Sequence, residues 1–411
     1  MNGLILFHQN HRDINAIVEY SKKTRHRLYL PREYEYFTFK DPAMGYGSRL
    51  NSLKVRLKQL TPARAWNKVL RFVFGTTPDD TQYLIYRVRA MTHQQFKQMA
   101  EDLKLDFVIL PYDGYPWLKN FIGYCKREGI PVIVVRKEGI PFPLLLPLEL
   151  SEPFIADYLC CVGMVQCRIW EKQGVPADRL FVTGYPRMDY YQQPEKWPAR
   201  EAVFAKFGLD PSKKTVLFPA QTAIPDDINI DFSRLKRETM QVLFALARKH
   251  PEIQIIVKPH VKQQMVLTGY ELLARLRLVK NFVLVPDSID IRDLITNVDL
   301  IVAGNSTTLM EGMIVGKPTI LTKWDTAMQP GFLEYHEWKA SPTALSKEEL
   351  GPMILDLLDK GKPPEEMKAG REKIVYEYLY KQDGKACERI FEAVELVERS
   401  SDRLKDQSGL S

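Results

Sequence analysis

The stretch Asp299–Thr322, DLIVAGNSTTLMEGMIVGKPTILT, decides the fold class. Leu300 to Ala303 is a short apolar run, the pattern of a strand buried on both faces. Gly304 and Asn305 supply a turn, and Ser306 is placed to cap the helix that follows. Leu309, Met310, Met313 and Ile314 fall on one face at helical spacing. Gly316-Lys317-Pro318 stops the helix, and Thr319 to Leu321 begins the next strand. Strand, turn, helix and strand in this order belong to an open parallel α/β sheet. A helix beginning just past a strand aims unpaired N–H groups and the positive end of its dipole at whatever sits there. Hydroxyls at Ser306, Thr307 and Thr308 surround those donors. Two readings stand at this point: a phosphate cradle, or the capped helix found in every parallel sheet.

Working upstream, Lys214 to Phe218 and Ile253 to Val257 read as further strands of the same sheet. Their carboxyl ends lead to Gln221 and to Lys258-Pro259-His260, so Gln221, Lys258, His260 and Ser306 gather where open α/β sheets hold ligands. A second parallel series precedes it. Leu4 to Phe7 is a strand leading into a polar loop with His8 and His11, and Phe107 to Leu110 leads to Pro111-Tyr112-Asp113-Gly114. Pro131 to Val135 leads to Arg136-Lys137-Glu138-Gly139. Asp113 and Glu138 therefore follow neighbouring strands into one crevice, where either carboxylate is a candidate general base. Asp before Gly is also a common turn pair, a use to which Glu is poorly suited. Cys160 to Gln173 reads as helix, and Leu180 to Val182 as a strand before Gly184-Tyr185-Pro186-Arg187-Met188-Asp189.

The expected organisation is a Rossmann-like domain over 1–195 and a Pro-rich linker over 196–212. A nucleotide-donor domain over 213–375, helices over 376–403 and a polar tail over 404–411 complete it. The 411 residues, 45% hydrophobic and 27% charged, suit two medium domains with separate cores. The start of the chain is too polar for a signal peptide, and no stretch is long and apolar enough to span a bilayer. Five cysteines form neither a disulfide framework nor a metal-finger spacing. Cytoplasmic placement is the expectation. Residues 44–78 carry Arg49, Lys54, Arg56, Lys58, Arg64, Lys68 and Arg71 without an acid, interleaved with leucines and aromatic groups. Such a segment suits a solvated helix pair packed on the domain or, alternatively, an anionic membrane face.

These motifs in this order resemble the GT-B glycosyltransferase architecture, two Rossmann-like parallel-sheet domains facing a central crevice. Gly184-Tyr185-Pro186-Arg187-Met188-Asp189 resembles the G-x-P-R-x-D stretch of CDP-glycerol glycerophosphotransferases. Those enzymes carry a Trp-His-Gly-Thr motif where this chain has Arg136-Lys137-Glu138-Gly139. Asn305 to Glu311 is similar to the phosphate-binding stretch of UDP-N-acetylglucosamine 2-epimerases, a likeness that gives Glu311 the ribose. In those enzymes paired glycines stand where this chain has Thr307 and Thr308, and a second acid stands where it has Gly312. Lys137-Glu138-Gly139, Lys258-Pro259-His260 and Ser306-Thr307 also resemble, in the same order, the three motifs of capsule-type transferases using CMP-activated sugars.

The resemblance implies an inverting, metal-independent glycosyltransferase for cell-surface polysaccharide, with a CMP-, CDP- or UDP-linked sugar as donor and no further cofactor. The acceptor is a saccharide or a lipid-linked chain, and no nucleic acid is expected as a partner. Glu138, or Asp113 in its place, would be the base. Lys258, His260, Ser306, Thr307, Thr308, Glu311 and Gln221 would hold the nucleotide, with His8, His11, Arg187 and Asp189 on the acceptor side. An epimerase, a CDP-glycerol or CDP-ribitol phosphotransferase, and a nucleotide-binding scaffold without turnover are the alternatives.

Overall fold

The structure, a computed structural model, describes residues 1–6, 12–30, 87–136, 153–220, 232–259, 278–286, 289–324 and 333–408, with positions 85, 269 and 274 besides. The first half runs β1 (Asn2–Ile5), α1 (Arg12–Ser21), β2 (Arg27–Tyr29), α2 (His93–Leu103), β3 (Phe107–Leu110), α3 (Lys119–Arg127), β4 (Val132–Val135), β5 (Tyr158–Cys161), α4 (Met164–Lys172) and β6 (Leu180–Val182). A 3-10 helix, Pro186–Gln192, and α5 (Arg200–Ala205) lead to the second half. There follow β7 (Lys214–Ala220), α6 (Phe232–Lys249), β8 (Ile253–Pro259), β9 (Phe282–Leu284), α7 (Ile291–Asn297), β10 (Leu300–Ala303), α8 (Thr307–Ile314), β11 (Thr319–Thr322) and β12 (Thr343–Ala344). Helices α9 (Lys347–Lys360), α10 (Lys368–Leu379) and α11 (Ala386–Ser408) close the chain.

Among the described residues the strands form two six-stranded sheets, ordered β2-β1-β3-β4-β5-β6 and β12-β11-β10-β7-β8-β9. Every pairing in them is parallel. Strands covered on both faces must be apolar throughout, and FVIL, VIVV and LIVA are buried at every position. One face of the first sheet packs on α2 and α3, with Phe96, Met99, Phe121 and Ile122 in the contact. Its other face takes α1 and the far end of the chain, where Ile390, Phe391, Val394 and Val397 of α11 meet Ile5, Ile109 and Ile133. The second sheet is covered by α6 and α9 on one face and by α7, α8 and α10 on the other. Among the described residues no helix is long and apolar enough to cross a membrane.

At three places the structure departs from or adds to the sequence reading. Cys160 and Cys161, expected in a helix, complete β5, because Leu159, Cys160 and Cys161 find register with β4 on one side and β6 on the other. The linker stretch carries core residues. Val203 and Phe204 are fully buried, and Arg200 donates to the carbonyls of Pro211 and Lys213 at 2.8 Å each and to Asp299 Oδ2 at 2.9 Å. Its guanidinium also lies over the Phe204 ring at 4.4 Å. The polar tail expected from 404 is helical to Ser408 as the continuation of α11.

Candidate active site

Ser306 stands at the carboxyl end of β10 with extended backbone angles (φ −129°, ψ 139°) and caps α8, its Oγ accepting from the Thr308 N–H at 3.3 Å. Thr308 is itself buried, whereas Ser306 and Thr307 are half-exposed between buried neighbours. The helix start is therefore open to a ligand at two residues and fixed on either side of them. Asn305 Oδ1 accepts from the Leu333 N–H at 2.9 Å, and the Tyr335 hydroxyl donates to the Ser306 carbonyl at 2.8 Å. Burial pushes the Tyr335 hydroxyl well above its ordinary range, so it remains a donor. A cradle held this way loses little entropy when an anion arrives.

Cations surround the same edge. Lys258, at the end of β8, is 7% exposed and its Nζ lies 3.5 Å from the Pro259 carbonyl. Lys323, just past β11, is 4% exposed and reaches Glu337 Oε1 at 2.6 Å. Lys323 was missed by sequence reasoning, although the signal that picked out Lys258, a polar residue directly after a buried strand, applies to it equally. Gln221 and His260 lie outside the described residues; β7 and β8, which lead to them, are neighbours that end at Ala220 and Pro259. Glu138, His8, His11 and the basic stretch 44–78 also lie outside the described residues. Among the described residues no group of three His, Cys, Asp or Glu is arranged to hold a metal ion.

Glu311, expected at a ribose, is 2% exposed and already partnered. The Tyr191 hydroxyl donates to its Oε2 at 2.5 Å, and Arg187 Nη2 is 3.5 Å from its Oε1. Arg187 lies in turn over the Tyr185 ring at 4.4 Å. The next residue, Gly312, stands where the epimerase motif has its second acid. A Cβ there would meet Ile301 Cδ1 at 2.6 Å and Thr319 Cγ2 at 3.2 Å, so any larger residue would make the Ile301 tip move.

Three other expected residues make contacts within the protein. Asp113 is 3% exposed, and its Oδ2 accepts from the N–H groups of Ile155 at 2.7 Å and Ala156 at 3.0 Å. A carboxylate clasped by two backbone donors anchors a loop. Asp189, assigned to the acceptor side, caps α11, with Oδ1 and Oδ2 each 3.0 Å from the N–H groups of Ala386 and Cys387. Desolvation raises its carboxyl group above the ordinary range, against the pull of those two donors. Arg187, also assigned there, faces Glu311 instead. Gly184 has φ +85°, which favours glycine, and packs beside Ala386, Arg389 and the Leu379 carbonyl. Arg389 Nε donates to the Thr183 carbonyl at 2.8 Å. Gly184 to Asp189 is thus a clamp joining the end of the first sheet, α8 and α11.

Comparison with known proteins agrees with this architecture. The family model described as CDP-Glycerol:Poly(glycerophosphate) glycerophosphotransferase matches residues 150–396. Among curated proteins, no sequence matches the chain. The UDP-GlcNAc 2-epimerase from Neisseria meningitidis, solved with UDP-GlcNAc bound, is similar at TM-score 0.58 and 13% identity, covering 96% of this chain and 100% of that one. The Methanocaldococcus jannaschii epimerase, in complex with UDP-GlcNAc and UDP, gives 0.56 and 16% over 96% and 99%. The wall teichoic acid polymerase TagF, soaked with CDPG, gives 0.56 and 14% over 98% and 90%. At such identities the likeness shows the fold, which is GT-B.

Proposed function

The chain belongs to the CDP-glycerol:poly(glycerophosphate) glycerophosphotransferase family, and on that premise we propose that it transfers a phosphate-linked polyol from a CDP-activated donor to a hydroxyl of a cell-surface polymer. The observation that carries this reading is the half-exposed Ser306-Thr307 start of α8, set among buried neighbours at a strand's carboxyl end. The acceptor oxygen attacks the phosphorus that bears the polyol, the bond to the bridging oxygen breaks, and CMP leaves with that oxygen. Negative charge grows on the departing phosphate. The start of α8 and the Lys258 ammonium answer that charge, and the Ser306 hydroxyl, which donates to Thr308 Oγ1 at 3.1 Å, turns toward the phosphate to join them. The acceptor proton goes to a base, for which Glu138 remains the candidate now that Asp113 is committed to backbone donors.

A second reading, transfer of a sugar, draws on one specific observation. Arg136-Lys137-Glu138-Gly139 stands where glycerophosphate transferases carry Trp-His-Gly-Thr. Incubating the protein separately with CDP-glycerol, UDP-N-acetylglucosamine and a CMP-sugar, each with a polymer acceptor, distinguishes the readings by mass spectrometry. The expected result is CMP release from CDP-glycerol, with an acceptor heavier by one glycerol phosphate. Release of UDP from the sugar donor would replace this reading with glycosyl transfer. Acceptor-free interconversion of the UDP-sugar would replace it with epimerase chemistry.

A further inference from the structure

Past the carboxyl end of β3, Tyr112, Tyr115 and Trp117 form a small aromatic shelf. The Tyr115 and Trp117 rings stack at 5.7 Å with 15° between their planes, and Tyr112 meets Tyr115 edge-on at 4.9 Å. The shelf is built to stay put. Asp113 holds the turn beneath it through the N–H groups of Ile155 and Ala156. A Cβ on Gly114 would run into the Tyr112 ring, so glycine is what lets that ring lie down. Arg136, at the end of the neighbouring β4, sits over Tyr112 at 4.8 Å and over Trp170 at 5.3 Å.

Tyr115 occupies the position just before a helical turn that starts with Pro116, and its side chain does not cap that turn. Ser, Thr, Asp or Asn would stabilise such a position by about 1 kcal/mol. Tyr115 instead shows a large ring, 42% exposed, whereas most other aromatic side chains among the described residues are buried or half-buried.

We propose that this shelf is an acceptor subsite that stacks a pyranose ring of the polymer. The axial C–H bonds on one face of a pyranose form an apolar, weakly positive patch that matches the negative face of an aromatic ring. Hydroxyls at the ring's rim stay in water or meet the tyrosine tips. A glycerol phosphate chain lacks such a face. The acceptor end that this protein recognises therefore carries sugar, next to the strand end that leads into Lys137 and Glu138. This rests on the transferase reading for the word acceptor, but the binding itself does not.

Saturation-transfer NMR on the full chain tests it, using N,N′-diacetylchitobiose as the saccharide probe and a glycerol phosphate trimer as the comparator. Saturation should concentrate on the axial ring protons of chitobiose. Tyr115→Ala should weaken its binding roughly tenfold, or about 1.4 kcal/mol, while Tyr115→Phe preserves it. Thermal melting checks that both variants fold, and CDP affinity should be equal in all three proteins. Chitobiose affinity unchanged by Tyr115→Ala, no chitobiose binding at all, or Tyr115-dependent binding of the trimer with equal strength would each overturn the subsite. Tyr115-dependent chitobiose binding in a protein that transfers nothing from any donor would uphold the shelf and reject the transferase reading.

Discussion

Two short polar motifs invite the same interpretation and have different duties. Gly304 to Glu311 and Gly184 to Asp189 both follow a parallel strand, and both mix glycine with hydrogen-bonding side chains. In the first, Ser306 and Thr307 remain half-exposed at a helix start. In the second, Tyr185 and Met188 are buried, Arg187 faces Glu311, and Asp189 is consumed in capping α11. A polar strand-end motif is a ligand site only where its donors are left to the solvent. Where they are answered by distant parts of the chain, the motif is a joint.

The largest effect should come from the contact that links the two. Removing the carboxylate with Glu311→Ala leaves the Arg187 charge buried, at a cost of about 3 kcal/mol. Urea denaturation would read this as a lower midpoint. A loss below 1 kcal/mol would mean that the clamp does not bear on α8. Asp189→Ala should follow, at about 1 kcal/mol for a lost helix cap. Limited proteolysis near α11 should then quicken, and an unchanged cleavage rate would argue against the capping role.

The smallest effect is a pH dependence within the joint. Burial, with Asp293 nearby, pushes the Tyr190 hydroxyl up to about 12. Between the ordinary tyrosine value of about 10 and that raised one, the unfolded chain is ionised while the folded chain keeps its proton. Stability from Tyr190 is therefore complete below pH 10 and declines as pH climbs toward 12. Melting temperature should fall across that window and fall less in Tyr190→Phe; identical slopes would contradict the assignment.

Much of the fold was legible because its signals are local. Leu300–Ala303 and Phe107–Leu110 are strands with the bounds their apolar runs suggest, and Ser306 caps α8 as its type and place imply. The edge strands β2 and β12 were not legible. Arg27–Tyr29 and Thr343–Ala344 lie at sheet edges and are too brief to carry a period. Tyr158–Cys161 depends on neighbours 25 and 21 residues away in sequence, because Tyr158 pairs with Ile133 (158 − 133) and Cys160 with Phe181 (181 − 160). The duty of Gly184–Asp189 was the hardest to read. Arg187 finds Glu311 124 residues away (311 − 187) and Asp189 finds Ala386 197 away, beyond any window in which spacing carries information.

The central claim is that the start of α8 holds the nucleotide's phosphate while Gly184–Asp189 only holds the protein together. Calorimetric titration of CDP into Ser306→Asp and Asp189→Ala tests it directly. Aspartate caps a helix about as well as serine, so Ser306→Asp should melt near the unaltered protein, yet its charge should weaken CDP binding at least tenfold, by roughly 1.4 kcal/mol. Asp189→Ala should melt lower and bind CDP with unchanged affinity. Full affinity in Ser306→Asp together with lost affinity in Asp189→Ala would contradict the account.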